Sequence, residues 1–277
     1  MNVPSPAMLS AKNFKSDTKP IWCPGCGDYA VLTSLTRALA SLGRPPEEVA
    51  MISGIGCSSR IPAYMNCYGF HGVHGRALPL ATGLKVARPD LTVIAAGGDG
   101  DGYSIGGNHF MHACRRNVDL TYIVMDNHVY GMTKGQSSPT TEPDWDNALT
   151  PGGTGVRPFQ PLVVALASGA NFVARAFSGD IVGTADIMTQ AIKSPGFSLV
   201  EVLSPCVTFR PEQREWKDLV RPSPVPATDD PARAARRLMT DDGFNIGVLY
   251  TGQRQPYRPK GSETEKSLDA LCQEFVI

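Results

Sequence analysis

Short, continuously apolar runs alternate with longer amphipathic stretches along most of the chain between residues 28 and 203. Such runs are typical of strands buried on both faces of a sheet, and we predict strands at 49–53, 91–96, 120–125, 172–174 and 197–203. Helices are predicted at 28–42, 77–87, 104–116, 161–168 and 180–193, with Asp28 as the N-cap of the first. This alternation indicates βαβ units, so we expect an α/β fold with a mostly parallel sheet and helices on both faces.

The same pattern divides the chain into three parts. Residues 1–21 are polar and spotted with proline, and are interpreted as an N-terminal arm. Residues 22–220 hold the strong α/β pattern. Residues 221–277 have a weaker pattern, with a helix predicted at 230–239 and a strand at 246–250, and we interpret them as an extension that covers the core or a partner.

Composition narrows the function. The 277 residues carry 26 Lys and Arg against 26 Asp and Glu, a balance that argues against general nucleic-acid binding. No apolar run approaches the ~20 residues of a membrane span, and the N-terminus lacks the apolar segment of a secretory signal. We therefore expect a cytoplasmic location, where closely spaced cysteines are more often ligands or redox groups than disulfides.

Chemistry-bearing residues follow four of the predicted strands: Cys57, Asp99, Asn127 and Cys206. In open α/β sheets, ligands bind at the carboxyl ends of the strands. Asp99 lies in Gly98-Asp99-Gly100, where glycine permits a sharp turn close to a ligand. Gly-Asp-Gly alone fits an ordinary turn, but one helix and one strand separate it from Asn127, which predicts neighbouring strand ends. Two oxygen donors there suit Mg²⁺ with a diphosphate, whereas neither the dinucleotide nor the P-loop fingerprint is present.

These residues and their context resemble a known family. Gly98-Asp99-Gly100 followed by Asn127 matches the thiamine diphosphate signature. The fuller text resembles the β subunits of 2-oxoacid:ferredoxin oxidoreductases, particularly the 2-oxoglutarate branch, from about residue 22 to 209. The motifs are WCPGCG (22–27), IGCSS (55–59), HGR (74–76), GGDGDGYSIGGNH (97–109), VYGMT (129–133) with GQ (135–136), and SPCVTF (204–209). Asp126 departs from the asparagine that many members have there.

The resemblance implies a thiamine diphosphate-binding domain and assigns its residues. Magnesium ligands would be Asp99, Asn127 and the carbonyl of Val129. Positions expected around the cofactor are Ile55, Gly56, Cys57, Ser58, His74, Gly98, Gly100, Asp101, Gly131 and Met132.

The cysteines permit three interpretations from spacing alone. Cys23 and Cys26 form a C-x-x-C motif, which could be a redox pair, although no buried strand precedes it. Structural zinc and an iron–sulfur cluster each need four ligands, and Cys57 and Cys206 are natural candidates for the other two. Spacing does not separate zinc from iron and sulfide. The resemblance implies that these four cysteines hold a [4Fe–4S] cluster.

Two further side chains are candidates for the chemistry. The resemblance places His74 close to the cofactor. Arg60 follows Cys57 by three residues, and its guanidinium could pair with a second substrate carboxylate; the alternative is a solvated arginine. His109 and His112 share a helix face and are expected to serve packing or surface roles.

The activity that the resemblance implies is the coenzyme A-dependent oxidative decarboxylation of a 2-oxoacid, with electrons passing to ferredoxin. The pattern has room for one α/β domain, so we expect an α subunit to supply the activating glutamate, in an (αβ)₂ assembly. The expected substrate is 2-oxoglutarate, with pyruvate as the alternative. A non-redox thiamine-dependent component, a zinc-stabilised binding subunit and a disulfide oxidoreductase are the other hypotheses.

Overall fold

The computed structural model describes residues 9–259 and residue 273. Within these residues, one sheet of eight strands is flanked by seven α-helices. The strands are β1 (Val49–Ser53), β2 (Tyr68–His71), β3 (Thr92–Gly98), β4 (Thr121–Asp126), β5 (Phe172–Phe177), β6 (Ser198–Leu203), β7 (Arg221–Pro222) and β8 (Asn245–Thr251). The helices are α1 (Asp28–Leu42), α2 (Ala77–Ala87), α3 (Gly107–Arg116), α4 (Pro161–Ser168), α5 (Ile181–Lys193), α6 (Trp216–Leu219) and α7 (Pro231–Met239).

The sheet is mostly parallel, as the pattern predicts. Its strand order is β2-β1-β3-β4-β6-β5-β8-β7, and the first six strands run parallel. β8 joins β5 in the antiparallel sense. Because β1, β3, β4 and β6 are successive neighbours, the polar residues that follow them emerge along one edge of the sheet.

Helices cover both faces of the sheet. On β1, Ala50 and Ile52 belong to the core beneath α2, α3, α4 and α7. Val49 and Met51 belong to the opposite core, which includes α1, α5 and the fully buried Phe14 of the N-terminal segment. Each buried strand thus feeds two cores, which explains its continuous apolar run. No helix among the described residues is both long and apolar enough to cross a membrane.

Several element boundaries differ from the predicted ones. The chain between β3 and α3 makes a π-helical turn at Gly100–Ile105, so α3 begins at Gly107 and not at 104. The edge strand β2 was not predicted, because its four residues are all exposed and have no burial pattern. Asp28 as N-cap was wrong: Gly27 takes that position. Asp28 is instead a buried first-turn residue whose carboxylate accepts a hydrogen bond from Ser204.

The described part of the C-terminal extension is joined to the main sheet. β8 pairs with β5, and α7 packs against α4. A buried ion-pair network fastens this junction: Arg175 Nε donates to Glu201 Oε2 at 2.7 Å, and Nη1 donates to Asp241 Oδ1 at 3.1 Å. Arg175 and Glu201 lie on neighbouring strands of the interior, whereas Asp241 follows α7.

Loss of the arginine should destabilise the whole fold. We expect Arg175→Leu to lower the free energy of unfolding by about 3–5 kcal/mol, because it leaves the carboxylate of Glu201 buried without its partner. Chemical denaturation measures the effect. Arg233→Leu on the exposed side of α7 is the matched control and should change stability by about 0.5 kcal/mol or less. Equal effects of the two substitutions would contradict this account of the network.

Candidate active site

A cavity of about 590 Å³ opens at the carboxyl ends of β1, β3 and β4. It has the size usual for small-molecule sites. All the predicted thiamine and magnesium positions line it: Ile55, Gly56, Cys57, Ser58, His74, Gly98, Asp99, Gly100, Asp101, Asn127, Val129, Gly131 and Met132. Prediction from sequence missed four further wall residues: Met125, Tyr130, Thr133 and Gln136. The motif quoted for the resemblance already contained the last three, which was the available signal.

The carboxylate of Asp101 connects separate segments of the cavity wall. Its Oδ1 accepts the N–H of Ile55 at 2.9 Å and the N–H of Gly75 at 2.7 Å, and lies 2.9 Å from Nδ1 of His74. Burial raises the pKa of Asp101, and these donors oppose that shift. Oδ2 is buried and has no hydrogen-bond partner. It fits because Gly54 has no side chain: a Cβ there would collide with both carboxylate oxygens.

The metal-ligand candidate Asp99 is buried beside a second carboxyl group, Asp126. Burial, and then the charge of Asp126, raises the pKa of Asp99 to about 7. The hydroxyl of Thr140 lies 2.8 Å from an oxygen of each. One hydroxyl proton serves one carboxylate at a time, so the pair favours either a shared proton or a cation. Asp99 and Asn127 therefore fit a hard divalent cation, and glycine is needed beside them, since a Cβ at Gly100 would strike the Tyr130 ring.

The long segment 133–159 is clamped against this edge. Glu142 accepts a hydrogen bond from Arg210 at 2.8 Å and pairs with Nδ1 of His128 at 3.0 Å. Burial alone would lower the pKa of His128, but Asp126 and Glu142 outweigh it and raise the pKa to about 9. The guanidinium of Arg210 also lies 4.3 Å from the Trp145 ring centroid. The clamp fixes the chain around Asn127, and the sequence carried no signal for it.

Of the four predicted cysteines, Cys57 lines the cavity, and the sulfurs of Cys57 and Cys206 both lie within 4 Å of the Cβ position of Gly131. Cys23 is exposed, Cys26, Cys57 and Cys206 are partly buried, and all are free thiols. The N–H of Cys26 donates to the carbonyl of Cys23, and Trp22 Nε1 donates to the carbonyl of Cys57 at 2.7 Å. Burial, followed by the charges of Asp28 and the other cysteines, raises the pKa of Cys57 to about 11.

Raised thiol pKa values have a chemical consequence for these cysteines. The pKa of Cys26 and that of Cys206 are also raised, with burial the largest cause. Thiolates in such surroundings need a cation to stabilise them, so metal binding would release protons here. Within residues 9–259 and 273, no three His, Cys, Asp or Glu side chains converge as the ligands of a single ion do.

Of the two predicted catalytic side chains, only His74 is in the cavity wall. Asp101 holds its Nδ1, which leaves Nε2 as the free ring nitrogen. Arg60 is partly buried in a 3₁₀ turn, Ser58–Tyr64, and is not among the side chains that line the cavity. Its role in substrate choice stays a prediction. Cys114 is a buried core residue, Cys67 is partly buried, and Cys272 lies outside the described residues.

Comparison with known proteins gives consistent results. The family model of the thiamine pyrophosphate enzyme C-terminal TPP-binding domain matches residues 54–202. The chain is 48% identical over 198 residues to 2-oxoglutarate oxidoreductase subunit KorB of Mycobacterium tuberculosis, covering 72% of this chain but only 53% of that protein. It is 37% identical to 2-oxoacid:ferredoxin oxidoreductase 2, subunit beta, of Aeropyrum pernix, covering 87% and 83%.

A solved structure matches over nearly the whole chain. It is the 2-oxoglutarate:ferredoxin oxidoreductase of Magnetococcus marinus with 2-oxoglutarate, coenzyme A and succinyl-CoA bound. The TM-score is 0.87 at 42% identity, over 91% of this chain and 88% of that one.

Adding one methyl group at position 54 tests whether the Asp101 carboxylate needs the space that Gly54 leaves. Gly54→Ala should lower the free energy of unfolding by about 1–3 kcal/mol, because the added Cβ overpacks a carboxylate that three donors hold in place. Gly83→Ala is the control: that glycine lies inside α2 with open space at its Cβ position, so alanine there should stabilise by about 0.5–1 kcal/mol. Thermal or denaturant unfolding compares them, and a Gly54→Ala protein as stable as wild type would refute the packing argument.

Proposed function

The chain belongs to the β subunits of the 2-oxoacid:ferredoxin oxidoreductases, and from that premise we propose its reaction. It takes part in the coenzyme A-dependent oxidative decarboxylation of 2-oxoglutarate to succinyl-CoA and CO₂, or in the reverse carboxylation. Electrons pass one at a time through a [4Fe–4S] cluster to ferredoxin. We place this activity in the cytoplasm.

One observation carries the proposal: the sulfurs of two of the cysteines lie beside the cavity wall, and Cys57 itself lines the cavity. Gly131 lines the cavity. A Cβ built on Gly131 would lie 3.5 Å from Sγ of Cys206 and 3.8 Å from Sγ of Cys57. A group held by these thiolates would therefore lie within short electron-transfer reach of a molecule in the cavity.

The residues of the cavity fit Mg²⁺ and thiamine diphosphate. Asp99, the side chain of Asn127 and the carbonyl of Val129 would hold the metal ion. When bound, thiamine diphosphate supplies the electron sink for loss of CO₂, and the cluster accepts the electrons singly. The protein's own contribution is position and charge: the buried Asp99 offers a carboxylate to the cation, and the glycines at 98, 100 and 131 let the main chain approach the cofactor.

His74 is the side chain best placed to handle a proton or orient the substrate. Asp101 Oδ1 lies 2.9 Å from Nδ1 and thereby sets the ring orientation. Nε2 is then free to donate or accept a hydrogen bond in the cavity. Asp101 thus acts on the substrate through His74, as well as holding the loops.

A partner is required for the rest of the site. Thiamine enzymes of this family rely on a glutamate against the aminopyrimidine ring, and no glutamate is among the described residues that line this cavity. We propose that an α subunit supplies it, in an (αβ)₂ assembly. The relatives named as β subunits support this arrangement.

The cluster assignment has a direct test. The chain, purified anaerobically with its α subunit, should contain about four irons and four sulfides in this chain and reduce ferredoxin when given 2-oxoglutarate and coenzyme A. Cys206→Ser should lose most of the iron and the ferredoxin reduction, because it removes one of four ligands. Cys67→Ser, a partly buried cysteine outside the set, is the matched control. Zinc in place of iron would contradict the redox half of the proposal.

Substrate choice has its own test. If the positive charge of Arg60 favours a second carboxylate, Arg60→Gln should lower the ratio of kcat/KM for 2-oxoglutarate to that for pyruvate by about 10-fold, the value of one charged hydrogen-bonded contact. Arg44→Gln, an exposed arginine between α1 and β1, serves as control. An unchanged ratio would remove Arg60 from specificity and leave pyruvate an equal candidate.

A further inference from the structure

The side chain of Gln213 joins the two proposed cofactor sites. It is 1% exposed. Its Oε1 accepts the N–H of Cys206 at 2.8 Å, and its Nε2 donates to the carbonyl of Asn127 at 2.7 Å. The partners fix the orientation of the amide, because the reverse orientation would set donor against donor and acceptor against acceptor. One buried amide therefore links the main chain of a proposed cluster ligand to that of a proposed magnesium ligand.

Main-chain hydrogen bonds also connect the segment that carries Gln213 to Cys206. The N–H of Arg210 donates to the carbonyl of Cys206 at 2.8 Å, and the N–H of Gln213 donates to the carbonyl of Arg210 at 3.0 Å. The Arg210 guanidinium then donates to the carbonyl of His128 at 3.1 Å. Two consecutive carbonyls of the segment 127–129 are thus held by side chains from the turn that begins at Cys206.

This geometry transmits restraint from one site to the other. A thiolate bound to a cluster fixes Cys206, and the turn after it then has fewer conformations. Gln213 passes that restriction to Asn127, whose side chain and neighbouring carbonyl must be in place to hold a metal ion. Binding at the first site thus removes part of the conformational entropy that binding at the second site would otherwise have to remove. The two sites are then positively coupled without any large movement.

We infer that Gln213 is a positioning residue through which an occupied four-cysteine site tightens the binding of Mg²⁺ and thiamine diphosphate. This inference rests on the proposed function. By linkage, the cofactor must favour cluster retention by the same factor. The coupling orders assembly: a chain that lacks its cluster binds thiamine diphosphate weakly, and so does not hold a cofactor that has no electron acceptor beside it.

The test compares dissociation constants across loading states. The full chain, purified with its α subunit, is prepared with its cluster and, after chelation, without it. Binding of thiamine diphosphate at saturating Mg²⁺ is measured by calorimetry or by quenching of tryptophan fluorescence, since Trp216 packs 5.0 Å from His128. The wild type should bind about 10-fold more tightly with the cluster present, within the usual range of coupling energies.

Substitutions at Gln213 should bring the dissociation constants with and without the cluster close to each other, and not merely weaken binding in both states. Gln213→Met keeps the length and removes both hydrogen bonds, so its two loading states should differ by about 2-fold or less, within the lower limit of measurable coupling. Gln213→Glu keeps the acceptor for Cys206 but loses the donor to Asn127, and serves if the methionine variant does not fold. Gln190→Met, on the exposed face of α5, should keep the wild-type ratio. A structural role alone would weaken both states equally.

A second readout does not depend on turnover. Addition of Mg²⁺ and thiamine diphosphate should alter the electron paramagnetic resonance spectrum of the reduced cluster in the wild type and leave it unchanged in Gln213→Met. The inference is wrong if wild type binds equally well in both loading states, or if Gln213→Met keeps the full ratio. A wild-type protein that takes up no iron, or binds no thiamine diphosphate in either state, would overturn the proposed function and the coupling with it.

Discussion

The geometry of the site depends on the buried carboxylate of Asp101. Two main-chain N–H groups from different loops and one imidazole nitrogen converge on a single oxygen. Burial of a carboxylate is costly unless it is well hydrogen-bonded. If either loop moved away from the turn after β3, Asp101 would lose a hydrogen bond while still buried, and this cost keeps the loops in place. Ile55 is two residues from Cys57, and Asp101 is two residues from Asp99. The same constraint thus fixes the distance between the loop that carries Cys57 and the turn that carries Asp99.

The chain around Gly131 shows how close two of the cysteines lie to the cavity. Gly131 and Cys57 both line the cavity, and a Cβ at Gly131 would lie within 4 Å of the sulfurs of Cys57 and Cys206. A Cβ there would be in ordinary van der Waals contact with both sulfurs. The packing is tighter at Gly54 and Gly100, where the side chains of Asp101 and Tyr130 occupy the space that a Cβ would need. Gly54 and Gly100 are therefore required for space, which is a stricter requirement than flexibility.

Much of this arrangement follows from local sequence. Continuous apolar runs place β1, β3, β4 and β6 in the interior, and a parallel sheet then brings their carboxyl ends to one edge. That logic was enough to predict that Asp99 and Asn127 lie at one edge of the sheet, and the resemblance supplied the other wall residues that were predicted. What it missed depends on distant side chains. Thr140 reaches Asp99 across 41 residues of sequence and Gln213 reaches Asn127 across 86, and neither lies in a segment with a regular pattern.

Asp126 places a second carboxyl group beside Asp99. His128 offsets it: its imidazole lies between Asp126 and Glu142, with Nε2 3.7 Å from Asp126 and Nδ1 3.0 Å from Glu142. A raised pKa keeps that imidazole cationic at neutral pH. No lysine, arginine or histidine among the described residues forms an ion pair with Asp99. The protein therefore pairs Asp126 with its own histidine and leaves Asp99 without a cationic partner among the described residues.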